Sequence, residues 1–200
     1  MDWGFDNTFA RELDWLAAPV HPVPVAEPRL LLLNEPLAVE LGLDPEWLRT
    51  PAGVAVLAGN ARAEGSQPLA QAYAGHQFGQ FSPLLGDGRA HLLGEVVDIH
   101  GRRRDLALKG AGRTPFSRGG DGRAALGPVL REYVMGEAMH ALWVPTTRAL
   151  AAAAAGGQVW RDGGPRPRAG LTRVAAAHLR VGGAELVRVE LPATGPRAGV

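Results

Sequence analysis

The stretch Ala90-His-Leu-Leu-Gly-Glu-Val-Val-Asp-Ile-His-Gly-Arg-Arg-Arg-Asp-Leu-Ala-Leu-Lys109 reads as two strands and a turn. Residues 90–97 and 104–109 carry the apolar runs, and His100-Gly101 turns the chain between them. In the second strand Leu106 and Leu108 share one face, and Ala107 and Lys109 the other. That alternation aims Lys109 away from the leucine-lined core. Lys109 is the only lysine of the chain; the other 20 of its 21 basic residues are arginine. An ammonium is a compact point charge on a flexible stem, a guanidinium a flat fork. A clamped phosphate is a common reason to want the former. Glycine-rich charged turns flank the lysine, Gly86-Asp-Gly-Arg89 before it and Ser117-Arg-Gly-Gly-Asp-Gly-Arg123 after it. Together they point to a nucleotide phosphate site. By pattern alone, each Asp-Gly pair reads as an ordinary hairpin turn.

Downstream, Pro128–Trp143 is the clearest helix. Val129, Leu130, Tyr133, Val134 and Ala138 form an apolar stripe at helical spacing, Pro128 suits the first turn, and Val144-Pro145 ends it. The helix carries two candidate partners for Lys109, Glu132 and Glu137. Strands, a lysine at a strand end, then a helix with an interior glutamate make an α+β arrangement, the plan of a protein-kinase small lobe. Upstream, Met1 to Arg29 is proline-punctuated and expected to lie extended over the surface. Pro36–Leu48 is expected to be one helix capped by Asn34. Ala151–Ala155 is expected to be helical, because alanine has the best helix propensity. Gln158–Arg161 reads as a strand. The Gly- and Pro-dense stretches 156–170 and 191–200 read as loop or disorder. The tryptophans are expected in the core.

With 200 residues, 46% hydrophobic and 20% charged, the composition is that of one globular domain or two small ones. A net charge of +1 gives no footprint for nucleic acid. There is no cysteine, so disulfides and thiolate metal sites are excluded. The six histidines have no ligand spacing. Met1–Asp6 lacks the apolar core of a signal peptide, and Leu30–Leu33 is far too short to span a bilayer. A cytoplasmic protein without membrane contact is expected.

Five motifs then become recognisable: Tyr73-Ala-Gly-His-Gln-Phe-Gly79, Leu85-Gly-Asp-Gly-Arg-Ala90, Leu108-Lys-Gly-Ala-Gly-Arg-Thr-Pro-Phe-Ser-Arg118, Gly120-Asp-Gly-Arg-Ala124 and Pro145-Thr-Thr-Arg-Ala-Leu150. In this order they resemble the selenoprotein O (YdiU-type) family of kinase-fold protein adenylyltransferases, from about Trp3 to Gly182. The resemblance implies a pseudokinase that binds ATP in reversed orientation and transfers AMP to Ser, Thr or Tyr hydroxyls of protein substrates. It implies ATP contacts by Gly86, Gly88, Arg89, Lys109, Asp121, Gly122, Arg173 and Arg180, with Glu132 the ion-pair partner of Lys109. Without it, Arg173 and Arg180 would read as two solvated charges. It divides the chain into an extension (1–72), a nucleotide-binding portion (73–182) and a divergent, disordered tail (183–200). The family's catalytic base and its Mg2+ or Mn2+ ligands are expected downstream of Val200, in a second half that this sequence lacks. The chain is therefore expected to be inactive by itself. A non-catalytic nucleotide-binding module and a nonfunctional fragment are the alternatives.

Overall fold

A computed structural model describes residues 2–161 and 163–190. In chain order the elements are α1 (Thr8–Glu12), β1 (Ala17–Pro19), β2 (Arg29–Leu33), α2 (Glu35–Glu40), α3 (Pro45–Arg49), α4 (Pro51–Leu57), β3 (Leu69–Gln71), β4 (Gly75–Gln77), β5 (Gln80–Ser82), β6 (Ala90–Val97), β7 (Arg103–Lys109), β8 (Ala124–Ala125), α5 (Leu126–Ala141), β9 (Arg148–Arg161), β10 (Gly164–Ala175) and α6 (Val181–Glu190). Seven strands form an antiparallel sheet in the order β1-β3-β6-β7-β10-β9-β2, β8 adds to β10, and β4–β5 is a separate hairpin. The fold class is thus α+β, built on a large antiparallel sheet.

The β6–β7 hairpin forms as its sequence implies. Asp98 caps the turn by accepting from the N–H groups of His100 and Arg102 and from the guanidinium groups of Arg102 and Arg104. Burial opposes ionisation of its carboxylate, but these donors outweigh it and hold the group down at about 2.

Several expectations are corrected. The single helix over 36–48 is two helices, followed at once by a third. Asn34 does cap the first, accepting from the N–H of Leu37. Gly42, at φ 74°, ends it, and Asp44-Pro45 and Thr50-Pro51 start α3 and α4. A side-chain acceptor followed by Pro is a start signal that restarts the helix wherever it recurs. Residues 2–29 are not simply draped over the surface, because Trp3, Phe9, Leu16 and Val25 are buried. Strands β1 and β2 join the same sheet as β6 and β7.

The alanine run is the largest correction. Ala151–Ala155 lies within β9, between β10 and β2. Ala151 packs in the core under α2–α4, while Ala149 and Ala152 pack beneath α5. A strand covered by helices on both faces needs small side chains there, and that packing overrides helix propensity. The strand expected at Gln158–Arg161 forms, but residues 156–157 and 164–170, expected as loop, also belong to the far end of a long β9–β10 hairpin. From residue 183 the expected disordered tail continues α6 to Glu190, whose Leu186 is buried against Leu69, Leu92 and Ala107; the remainder of that tail, from residue 191 to Val200, lies outside the described residues. Trp15, Trp143 and Trp160 are exposed rather than in the core.

Candidate functional site

Lys109 is the last residue of β7, and the sheet places it. The β7–β10 register pairs Leu171 with Lys109 and Arg173 with Ala107. Alternate residues 107, 109, 171 and 173 therefore lie on one sheet face. Helix α5 packs over that face through Val129 and Tyr133, which brings its second turn over the lysine. Lys109 Nζ donates to Glu132 Oε2 at 2.5 Å, and Arg173 Nε stands 3.1 Å from the other oxygen, Oε1. Arg173 sits off line for a hydrogen bond, so this contact is an ion pair only. One carboxylate thus holds two cations apart, each at a fixed place.

Glu137, the competing partner, is used elsewhere. It accepts from Arg148 Nη2 at 2.7 Å, from the N–H of Ala149 at 3.0 Å and from Asn34 Nδ2 at 2.8 Å. Burial opposes its ionisation, but these donors prevail and its carboxyl titrates below the usual range.

The glycine-rich turns pack against each other. Thr114 Oγ1 donates to the carbonyl of Asp87 at 2.5 Å, and Ser117 Oγ donates to that of Gly88 at 2.6 Å. Gly86 has φ 70°, and a Cβ there would lie 2.2 Å from the Phe116 ring. Gly122 has φ 67°, and its Cβ would lie 2.1 Å from Gly112 backbone. Both positions require glycine for conformation and for room. The room is taken by the neighbouring loop, not held open for a ligand. Gly88 is similar, facing the Phe116 carbonyl at 2.9 Å. These glycines border the cleft, and the lack of a Cβ at each serves the packing of loop on loop.

Arg180 is beyond the reach of strand periodicity. β10 ends at Ala175, and Asp105 catches the chain beyond it by accepting from the N–H of His178 at 2.6 Å. Arg180 then lies over the Tyr73 ring at 4.4 Å and pairs with Asp87 at 2.7 Å. Burial pushes the Asp87 carboxyl up, against the pull of Arg180. Asp121 is held by Nη1 and Nη2 of the Arg161 guanidinium, at 2.8 and 2.9 Å. That pairing is the main reason its carboxyl is held down.

All eight residues assigned to ATP line one cleft of about 550 Å³. Glu132 lines the adjoining cavity together with Arg89 and Lys109. Seven basic side chains border the cleft, against two acidic ones, Asp87 and Asp121. A net charge of +1 for the whole chain hides this concentration. The crowding registers in the arginines. Burial and the nearby Arg180 draw Arg173 down despite Glu132, and burial and Arg168 draw Arg123 down. Sequence reading missed Tyr73, Phe116, Arg118, Arg123 and Arg161 as cleft residues. Arg118 and Arg123 belong to the turn already singled out, so the signal was there. Arg161 arrives from the far end of β9, and nothing local marks it.

Such a cleft suits a polyanion. It does not suit a divalent cation, because Asp87, Asp121 and Glu132 are each engaged by arginine or lysine. Among the described residues no group of three or more His, Asp or Glu could hold a metal ion, and no helix is long and apolar enough to cross a membrane. The catalytic base and metal ligands expected downstream of Val200 lie outside the described residues.

Comparison with known proteins shows the family. The family model described as protein adenylyltransferase SelO matches residues 2–193. A protein nucleotidyltransferase YdiU of Cereibacter sphaeroides is 63% identical over 182 residues, 91% of this chain and 38% of that protein. The one from Methylorubrum populi is 64% identical over 178 residues, 89% of this chain and 36% of that protein. The one from Mycolicibacterium smegmatis is 62% identical over 176 residues, 88% of this chain and 36% of that protein. The chain thus spans a little over a third of the length of these curated relatives. The family match runs past Gly182, where the resemblance was expected to stop.

Proposed function

The chain belongs to the protein adenylyltransferase SelO family, and from that premise we propose that its cleft binds ATP through the phosphates, as the nucleotide-binding portion of an enzyme that moves AMP onto Ser, Thr or Tyr hydroxyls of proteins. The observation that carries the reading is the cleft's charge. Seven basic side chains surround a space of about 550 Å³ with two carboxylates among them. Each of those carboxylates is already paired with an arginine. A triphosphate supplies the negative charge that this arrangement lacks.

The parts divide as follows. Glu132 orients the Lys109 ammonium and the Arg173 guanidinium, so both meet phosphate oxygens without searching for a position. Arg180, stacked on Tyr73, presents its fork to the same cleft, and Arg89 lies beside Gly88. In the transfer, the acceptor oxygen forms a bond to the α-phosphorus while the bond to pyrophosphate breaks, and the hydroxyl proton passes to a base. Cations around the phosphates stabilise the charge that moves to the leaving pyrophosphate. The lysine at a strand end and its helix glutamate support reading this portion as a kinase-type small lobe.

Among the described residues each carboxylate of the cleft is engaged by an arginine, which argues against its serving as the base or as a ligand for Mg2+ or Mn2+. We assign those roles to the part of the relatives that this chain does not span. The 200-residue chain should then bind ATP without transferring AMP, which is the behaviour of a nucleotide-binding module. Incubation with labelled ATP, Mg2+ or Mn2+ and a mixed protein acceptor tests this. ATP binding without incorporation is the expected result; acid-stable AMP on protein above a no-enzyme control would place the chemistry within residues 1–200.

A further inference from the structure

Arg118 stands out among the cleft cations in three ways. First, its backbone is left-handed, with φ 48°. Gly120 donates its N–H to the carbonyl of Ser117 at 2.8 Å, which makes Arg118 and Gly119 the two central residues of a tight turn. Both have positive φ, 48° and 81°. Turns of that kind are dominated by Gly, Asn and Asp, because other side chains are strained there. Second, the turn is fixed rather than adaptable. Ser117 Oγ donates to the Gly88 carbonyl at 2.6 Å, and the N–H of Thr114 donates to Ser117 Oγ at 2.8 Å. Third, the guanidinium has no carboxylate within ion-pair distance among the described residues. Its hydrogen bond there is to neutral Gln77 Oε1, at 3.1 Å, from the β4–β5 hairpin, which also lines the cleft. A strained backbone that aims an unpaired charge into a cleft already crowded with positive charge is unfavourable for folding alone. It becomes favourable when an anion arrives.

We propose that Arg118 is a further phosphate-binding residue of the cleft, held ready by its left-handed turn and released from Gln77 when the ligand enters. This rests on the reading of the cleft as a triphosphate site. It adds a residue that none of the glycine, lysine or arginine assignments above includes.

The test uses the whole 200-residue chain, with ATP and inorganic tripolyphosphate as probes in titration calorimetry, alongside melting curves without ligand. Arg118→Gly removes the side chain and the backbone strain together. It should melt at or above the wild-type temperature yet bind both probes about tenfold or more weakly, the loss of a charge-assisted hydrogen bond. Arg118→Asn, also tolerated in a left-handed turn, should behave alike. Binding of both probes within about twofold of wild type would overturn the proposal, and so would a melting temperature well below wild type, which marks a structural arginine. If wild type itself binds neither probe, the triphosphate reading has failed first, and the assignment of Arg118 fails with it.

Discussion

Replacing Lys109 and replacing Glu132 should harm the cleft differently. Lys109→Ala removes one phosphate donor and leaves Glu132 paired with Arg173. ATP affinity should fall by about 1.5–3 kcal/mol, the worth of a hydrogen bond to a charged group, with little change in melting temperature. Lys109→Arg should recover only part of it, since a fork cannot reproduce a point charge at 2.5 Å from Glu132. Glu132→Gln should weaken ATP less than Lys109→Ala, because both cations remain but lose their fixed positions. Calorimetry on the three variants checks that ranking. His91 gives the residue-scale pH dependence. It is fully buried, neither ring nitrogen has a well-formed hydrogen bond among the described residues, and burial is the main reason it is drawn down to about 4. The folded state therefore resists protonation while the unfolded chain accepts a proton near 6.5. Stability is whole above about pH 6.5 and is lost as pH falls from there towards 4, by about 3 kcal/mol in all, because each pH unit between the two values is worth roughly 1.4 kcal/mol. His91→Phe should flatten that slope in chemical denaturation curves taken from neutral to mildly acidic pH; an unchanged slope would assign the loss to other groups.

At the scale of the element, α5 depends on few anchors. Val129 is its one fully buried residue, so the bonds of Glu137 to Arg148, Ala149 and Asn34 carry much of its attachment. Glu137→Ala strands those donors and should cost about 1–3 kcal/mol of stability. By letting α5 shift, it should also weaken ATP binding; a variant that binds ATP as wild type does would detach the helix's position from the site. The two glutamates also mark how far sequence reading reaches. Hydrophobic period located β6, β7 and α5, and Asn34 announced a helix start. Nothing in the spacing told Glu132 from Glu137, because the choice depends on which sheet strand lies beneath each turn of α5. The alanine strand was hidden for a similar reason. Its residues were selected by helices on both faces, which no local propensity records. Arg180 entered through the family resemblance alone, since its placement rests on Asp105 catching the backbone of His178 from 73 positions away.

At the scale of the whole molecule, α5 and the turn after it expose Val134, Met135, Leu142 and Trp143. Trp143 is 94% exposed and left-handed, at φ 59°. A cluster of this kind makes a chain associate. Sedimentation velocity should show concentration-dependent self-association of the 200-residue chain. Trp143→Gly should reduce it without loss of stability, because glycine is the relaxed residue at that helix end. A monomer at all concentrations would contradict this. The central claim is that the basic cleft around the Lys109–Glu132 pair takes the phosphates of ATP. It is tested most directly by titrating ATP into the wild-type chain and into Lys109→Ala at equal ionic strength, with melting curves to establish that both are folded. The account predicts saturable one-to-one binding by wild type and an affinity about tenfold or more weaker in Lys109→Ala. Equal affinity in the two folded proteins would contradict it.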